Sequence, residues 1–411
     1  MSTSRRSPLR SDPARGTRET GPRTTTGSET RSTDPRPVPP ARPALAERRS
    51  REGRRYGEQI LEVRDLTVQF PTEDGLVNAV NGLSYDVQLG QTLAIVGESG
   101  SGKSVSSMAV MGLHDMRRTR IGGSILLDGE EIVGASGATI RRMRSATAAM
   151  IFQDPQSSLH PFLKVGWQIA EAYRAHHKVS KQVAHKRAVE MLDRVGIPNP
   201  QRRAKQYPHE FSGGMRQRAM IALGLVNDPK LVIADEPTTA LDVTVQAQIL
   251  DLLGDLQREF GSAIVLITHD LAVVAEVADE VLVMYAGRAV EHGTATEVLA
   301  QPRHPYTWGL LGSVPSVSAA GADLRPVRGL PPSLLHLPKG CSFHPRCDFI
   351  ERVPGGRCAQ DLPELVVPEG HSERVTRCHL EAPADVFRDE VAPRLGGTEP
   401  VLEGTGESAH E

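Results

Sequence analysis

The chain has 411 residues, 39% hydrophobic and 24% charged, enough apolar material for one good-sized core and a small second unit. A formal net charge of −2 excludes a global pull toward nucleic acid or anionic lipid, though it leaves room for a local basic patch. No uninterrupted apolar run reaches the roughly 18 to 20 residues that a membrane helix needs, so any membrane span is expected to belong to partner subunits.

Residues 1–57 are dominated by Ser, Thr, Pro, Gly and Arg with almost no aliphatic periodicity, which predicts a disordered tail. Its arginines suit a solvated tail better than attraction to membrane or RNA, and no apolar h-region marks a secretory signal. From Leu61 short alternating runs begin, Leu61 to Val63 and Leu66 to Phe70, the pattern of half-buried strands. Next, the apolar run Leu93 to Val96 leads into Gly97, Glu98, Ser99, Gly100, Ser101, Gly102, Lys103 and Ser104, which completes the spacing G-x-x-x-x-G-K-[ST]. Glycines let such a backbone curl into a nest of N–H donors around phosphates, and the helix that follows points roughly +0.5 charge at them. Lys103 is then placed to reach the β and γ phosphates of a nucleotide, and the Ser104 hydroxyl offers Mg²⁺ a hard oxygen ligand.

Ile125 to Gly129 reads as a strand entering a turn, and Trp167 through Leu192 spaces its apolar residues as amphipathic helices do. Between them lies Met150-Ile151-Phe152-Gln153-Asp154-Pro155, and after them Phe211-Ser212-Gly213-Gly214-Met215-Arg216-Gln217-Arg218, which opens a helix over 213–225. Leu231 to Ala234 is a strand-like run ending in Asp235 and Glu236, so two carboxylates emerge where ligands of parallel α/β sheets sit. Asp235 is expected to hold Mg²⁺ and Glu236 to polarise the attacking water, since phosphoryl transfer is catalysed mostly by positioning and charge stabilisation. The apolar runs Ala263 to Ile267, ahead of His269, and Val281 to Tyr285 complete the expected sheet.

In their order these segments resemble the ATP-binding subunits of ABC transporters. The resemblance implies a P-loop NTPase cassette of α/β class, with a RecA-like core, an antiparallel β subdomain and a helical subdomain at about 155–227. It also implies a Gln loop at Gln153 that contributes to the Mg²⁺ site, a signature at Ser212, Gly213 and Gly214, a D-loop at Ala240-Leu241-Asp242, and a switch histidine at His269 that contacts the γ-phosphate. Phe70 either stacks on adenine or is ordinary strand core. Further similarity points to the oligopeptide, dipeptide and nickel importer branch: Ser157-Ser158-Leu159-His160-Pro161, then His304-Pro305-Tyr306-Thr307, Leu310-Leu311 and Ser313-Val314-Pro315, and finally Gly340-Cys341-Ser342-Phe343-His344-Pro345-Arg346-Cys347. The expected divisions are a cassette over 58–300, a C-terminal module over 301–382 and a flexible tail over 383–411.

In this family the nucleotide is sandwiched between the phosphate loop of one cassette and the signature of another, so a chain with a single phosphate loop needs a second cassette. Met215 stands where the signature usually has Gln and cannot hydrogen-bond as an amide does, which favours a heterodimer with a related Gln-bearing chain over a homodimer. The other expected partners are two membrane permease subunits and, indirectly, an extracytoplasmic solute-binding protein, with no nucleic acid. The cassette would sit on the cytoplasmic face of the cell membrane as a peripheral protein. Peptides are the expected cargo, with nickel or another small solute as the alternative; a soluble ABC protein outside transport would normally carry two cassettes or a coiled-coil insertion.

All four cysteines, Cys341, Cys347, Cys358 and Cys378, fall in the C-terminal segment. A reducing compartment argues against disulfides, and four thiolates suit a [4Fe–4S] cluster first and Zn²⁺ second, although the spacing lacks the C-x-x-C pairs of zinc ribbons. Unmetallated structural cysteines are the third reading; for a metal site His344 and His379 are spare candidate ligands, better read as surface residues or residues behind the ligands.

Overall fold

Every residue of strand β3 (Thr92–Val96) is buried, because β3 lies in the middle of a seven-stranded sheet and has parallel neighbours on both sides. The computed structural model describes residues 57–154, 158–239, 242–313, 327–367 and 374–395. Expectations for the 1–56 tail, for Pro155 and Ser157, for Ala240 and Leu241, for Val314 and Pro315 and for 396–411 lie outside the described residues.

The other strands of this sheet are β6 (Ala148–Ile151), β7 (Leu231–Asp235), β8 (Ala263–Thr268), β9 (Glu280–Tyr285), β10 (Arg288–Thr294) and β11 (Val375–Thr376), in the order β11-β10-β9-β3-β8-β7-β6. β6, β7, β8, β3 and β9 run parallel, with Val96 opposite Thr268, Asp235 opposite Ile267 and Ile151 opposite Ala234. Their near-continuous apolar runs are what a parallel sheet covered on both faces requires.

A second sheet is antiparallel and carries β1 (Gln59–Thr72), β2 (Gly75–Gln88), β4 (Arg120–Leu127) and β5 (Glu130–Glu131) in the order β2-β1-β4-β5. The two short runs expected from Leu61 are one long strand interrupted by a bulge, where the register slips between Val63 and Leu66 and Asp65 turns to a φ of 47°. Leu61, Val63, Leu66 and Val68 pack with Leu93, Ile95, Val265 and Ile267 in one core cluster, so this sheet braces the strand that delivers the phosphate loop.

Between β6 and β7 the chain forms helices Val165–Arg174, Lys181–Arg194 and Gly213–Leu225. Ser180 caps the second by accepting from the Val183 N–H, and Ser212 caps the third by accepting from the Met215 N–H. Ile169, Ala188, Met191 and Ile221 meet Ile249 and Leu253 of helix Val243–Phe260 in a second cluster.

The C-terminal segment packs on the large sheet. Tyr306 and Leu311 of helix Pro305–Gly312, together with Phe343, pack against Ala94, Val96, Val281, Val283 and Tyr285, the opposite face of the central strands. Strand β11 continues the sheet by pairing Val375 and Thr376 with His292 and Glu291 of β10. Arg374 and Glu291 form a fully buried ion pair across that junction, 3.0 Å apart. Sheet growth and a shared apolar face therefore tie the described C-terminal residues to the cassette's core, while Trp308, Val353, Cys358, Leu380 and Phe387 form a small cluster of their own. The expected loose end at 383 also starts ordered, since short helical turns over Pro383–Leu395 bury Phe387 against Trp308.

Candidate active site

Four parallel strands end on the same edge of the large sheet, and each hands over a group singled out in the sequence: β3 the phosphate loop, β6 Gln153, β7 Asp235 and Glu236, β8 His269. This is the edge where α/β sheets place their ligands.

The phosphate loop is held tightly by its neighbours. A Cβ at Gly97 would lie 2.2 Å from the Met284 carbonyl oxygen, and one at Gly102 2.4 Å from that of Ala79, so only glycine fits at either place. Gly102 has a φ of 100° and opens helix Lys103–Val110. Lys103 folds back over its own loop, donating from Nζ to the carbonyls of Gly97 at 2.6 Å and Glu98 at 2.9 Å. Burial lowers its pKa, while Glu236, Asp235 and Glu98 pull it back up. Ser101 is buried, and its backbone carbonyl accepts from the Gly287 N–H at 2.9 Å.

Ser104 donates its hydroxyl to Asp235 Oδ1 at 3.0 Å. Asp235 is buried, and desolvation raises its pKa while the Ser104 bond lowers it. A hydroxyl and a carboxylate standing side by side are hard oxygen donors of the kind Mg²⁺ takes alongside phosphate oxygens and waters.

Glu236 gathers the remaining groups. Its Oε2 accepts from Gln153 Nε2 and from Thr239 Oγ1, both at 2.8 Å, and its Oε1 faces His269 Nδ1 at 3.4 Å. Its backbone has a φ of 46° and its N–H donates to the Ile267 carbonyl at 2.9 Å. A left-handed glutamate persists only where surrounding structure enforces it, and such strain gathers at functional sites.

Other expected site residues lie elsewhere. Ser212 is exposed at the start of helix Gly213–Leu225, Gly213 is exposed, and Gly214 approaches Val245. Met215 is partly buried and packs on the apolar cluster of the helical layer. Asp242 uses its carboxylate to cap helix Val243–Phe260 through the Val245 N–H at 2.9 Å. Phe70 is partly buried on β1 and meets His114 edge-on, ring centroids 5.7 Å apart. Gly100 and Ser99 lie in the loop itself, Gly100 with a φ of 79°.

The expected metal centre of the C-terminal cysteines is not assembled: among the described residues no group of three or more His, Cys, Asp or Glu is arranged to hold a metal ion. Cys341, Cys347, Cys358 and Cys378 do line one small cavity, with His344 and His379 at its wall. Cys341 and Cys347 pack beside the apolar cluster of Phe343 and Cys358 and Cys378 beside that of Trp308 and Leu380, while all four border the one cavity. Burial pushes the Cys347 thiol up to about 11 and the Cys378 thiol to about 12. His344 is tied to the Cys341 carbonyl and His379 to the Asp361 carbonyl.

Three residues of the site escaped the sequence reading. Thr239, three positions beyond Glu236, was within reach of a motif argument; Tyr306 and Arg346 were not. The Tyr306 hydroxyl accepts from the Glu98 N–H at 2.7 Å, and Arg346 grips the Glu98 carboxylate at 2.6 and 2.9 Å. Both stand in quoted C-terminal segments, but nothing local says that they touch a loop some two hundred residues earlier.

Comparison with known proteins agrees with this geometry. Residues 80–239 match the family described as "ABC transporter", and residues 290–352 match "Oligopeptide/dipeptide transporter, C-terminal region". The oligopeptide transport ATP-binding protein OppD of Salmonella typhimurium is 54% identical over 288 residues, covering 70% of this chain and 86% of that protein. The dipeptide transport ATP-binding protein DppD of Bacillus subtilis is 52% identical over 291 residues, 71% of this chain and 87% of that one. Among solved structures, a dimeric bacterial ABC transporter cassette, MJ0796, superposes with a TM-score of 0.52 at 25% identity, covering 57% of this chain and 99% of that one. The chain belongs to the ATP-binding subunits of ABC transporters, in the branch that carries the oligopeptide/dipeptide C-terminal region.

Proposed function

We propose that the chain is the ATP-hydrolysing subunit of an importer for oligopeptides or dipeptides, acting on separate membrane permease subunits that receive cargo from an extracytoplasmic binding protein. The observation that carries the chemistry is the convergence of Lys103, Ser104, Gln153, Asp235, Glu236 and His269 on one sheet edge. The cargo rests on the names of the relatives and on the matching C-terminal region. Among the described residues no helix is long and apolar enough to cross a membrane, which is consistent with a peripheral subunit on the cytoplasmic face.

In this reading the phosphates of ATP take over the Lys103 ammonium from the Gly97 and Glu98 carbonyls, so the lysine exchanges neutral acceptors for anionic ones. Ser104 and Asp235 would hold Mg²⁺, with Gln153 beside them; when bound, the ion neutralises charge developing on the β and γ phosphates. Glu236 aligns the attacking water and accepts its proton as the new O–P bond forms and the β–γ bridging bond breaks. Gln153 and Thr239 hold that carboxylate in place, and His269 turns toward the γ-phosphate. The second half of each nucleotide site comes from the opposite cassette, so this chain's Ser212, Gly213, Gly214 and Asp242 serve the partner's nucleotide, and Met215 marks the partner as a related but different chain. Closure of the pair on ATP draws on its higher affinity for the closed state.

We also propose that the cavity shared by the four cysteines is where a [4Fe–4S] cluster, or alternatively Zn²⁺, would be held. Its support is the meeting of all four side chains on one cavity, and no step of hydrolysis depends on it. The function is tested by peptide uptake in membranes containing the permease and both cassettes. Labelled oligopeptide should accumulate with ATP and not with a non-hydrolysable analogue, and equal accumulation with both would contradict the proposal.

A further inference from the structure

Glu98 places a negative charge inside the phosphate loop. A carboxylate stands at the second position of a turn whose task is to receive a polyanion, and in isolation it would repel that ligand. The fold answers with Arg346, whose Nη1 and Nη2 donate to the two Glu98 oxygens at 2.6 and 2.9 Å in a forked pair. Only 5% of the Arg346 side chain is exposed, against 26% for Glu98. Its remaining donors are also taken: Nε by the Arg328 carbonyl at 2.7 Å, Nη1 by the Tyr285 hydroxyl at 3.3 Å and Nη2 by the Val327 and Gly329 carbonyls at 3.3 and 3.2 Å. The guanidinium lies 5.8 Å from the Tyr285 ring centroid and 5.9 Å from that of Phe343. From the same side the Tyr306 hydroxyl takes the Glu98 N–H, while the Glu98 carbonyl faces Lys103. Glu98 is thus held through its carboxylate and its amide by the C-terminal segment, and through its carbonyl by the phosphate-binding lysine.

We infer that Arg346 is a positioning residue for the nucleotide site: it neutralises the Glu98 carboxylate and fixes the entry to the phosphate loop, so that the C-terminal segment sets the affinity of the loop for ATP. The inference rests on the reading of Gly97 to Ser104 as the ATP site. It differs from a role in folding alone by its dependence on charge. A structural staple broken at either end is broken, and breaking both ends restores nothing. A compensated charge behaves otherwise, because removal of Arg346 leaves an anion beside the phosphates and removal of Glu98 as well takes that anion away.

Equilibrium binding of MgATP to the full-length chain separates the two. Arg346→Gln should weaken binding roughly tenfold, within the range of a coupled charged pair. Arg346→Gln combined with Glu98→Gln should recover most of that loss, and Arg346→Lys, which keeps the charge without the fork, should fall between wild type and Arg346→Gln. Wild-type affinity in Arg346→Gln, or a double variant as weak as the single one, would overturn the inference. Arg346→Lys and the double variant make the same comparison if Arg346→Gln does not fold. Lys103→Ala in the same assay tests the site itself: unchanged affinity there would remove the ATP-site reading and this inference with it, whereas lost binding there beside an intact Arg346→Gln would remove the inference alone.

Discussion

Arg346 and Glu98 are 248 positions apart in the sequence and joined by two hydrogen bonds, so the segment that carries the cysteines reaches directly into the phosphate loop. Together with Tyr306 on the Glu98 amide and with Phe343 on the face of β3 and β9, this contact makes the C-terminal segment a wall of the nucleotide site. Damage to that segment should therefore be felt at the loop, which a separate module would not do.

Lys103→Ala should weaken ATP binding itself. The Lys103 ammonium stands between the Gly97 and Glu98 carbonyls, and its removal takes away charge-assisted bonds worth about 1.5–3 kcal/mol each. Titration calorimetry with MgATP checks this, and wild-type affinity would contradict the assignment of the loop.

The isolated chain should be a poor ATPase until a second, Gln-bearing cassette and a permease join it. Turnover measured before and after assembly checks this, and full activity of the chain alone would remove the need for a partner. In the assembled pair, Met215→Gln should alter hydrolysis at only one of the two sites.

His304 predicts a specific pH dependence of stability. It is buried, its Nδ1 accepts the Tyr306 N–H at 3.1 Å, and burial depresses its pKa to about 3. With an unfolded value near 6.5, its contribution is fully present above about pH 6.5 and is lost as the pH falls toward 3. The slope from this one group is about 1.4 kcal/mol per pH unit. Denaturant unfolding between pH 7 and pH 5 should show the loss, and His304→Asn, which keeps an acceptor without the titration, should flatten that part of the profile.

The cysteine cavity is tested by anaerobic purification. Iron and acid-labile sulfide near four of each per chain would match a [4Fe–4S] centre, one zinc would match the alternative, and neither would leave four packing thiols. Because the segment packs on the strand that leads into the phosphate loop and Arg346, next to Cys347, holds Glu98, Cys347→Ser should also weaken MgATP binding measurably, and unaltered binding would argue that the cysteine cavity and the loop are uncoupled.

Much of the active edge was legible in the sequence because its signals are local. Leu93 to Val96 before glycines, and Leu231 to Ala234 before Asp235, each announce a buried strand with chemistry at its end, and parallel pairing does the rest by bringing the ends together. Helix Gly213–Leu225 was equally legible, since Ser212 caps it. What the sequence withheld depends on distant contacts. The placement of Phe343 and Tyr306 on the sheet face, the pairing of β11 with β10 and the burial of Phe387 are choices among partners that periodicity does not distinguish. The cysteines invited a metal by their clustering in sequence, and the fold brings all four to one cavity between two apolar clusters, an arrangement that spacing alone does not give. Asp242 illustrates a milder ambiguity, for the same carboxylate serves a motif and caps a helix.

Glu236 carries the central claim, because Gln153, Thr239 and His269 all converge on its carboxylate. The most direct measurement is single-site hydrolysis by Glu236→Gln in the assembled transporter. MgATP binding should be retained, a closed ATP-bound pair should accumulate, and hydrolysis should slow by at least roughly 100-fold, about 2.7 kcal/mol of lost transition-state stabilisation. Near-normal turnover by Glu236→Gln would contradict that claim.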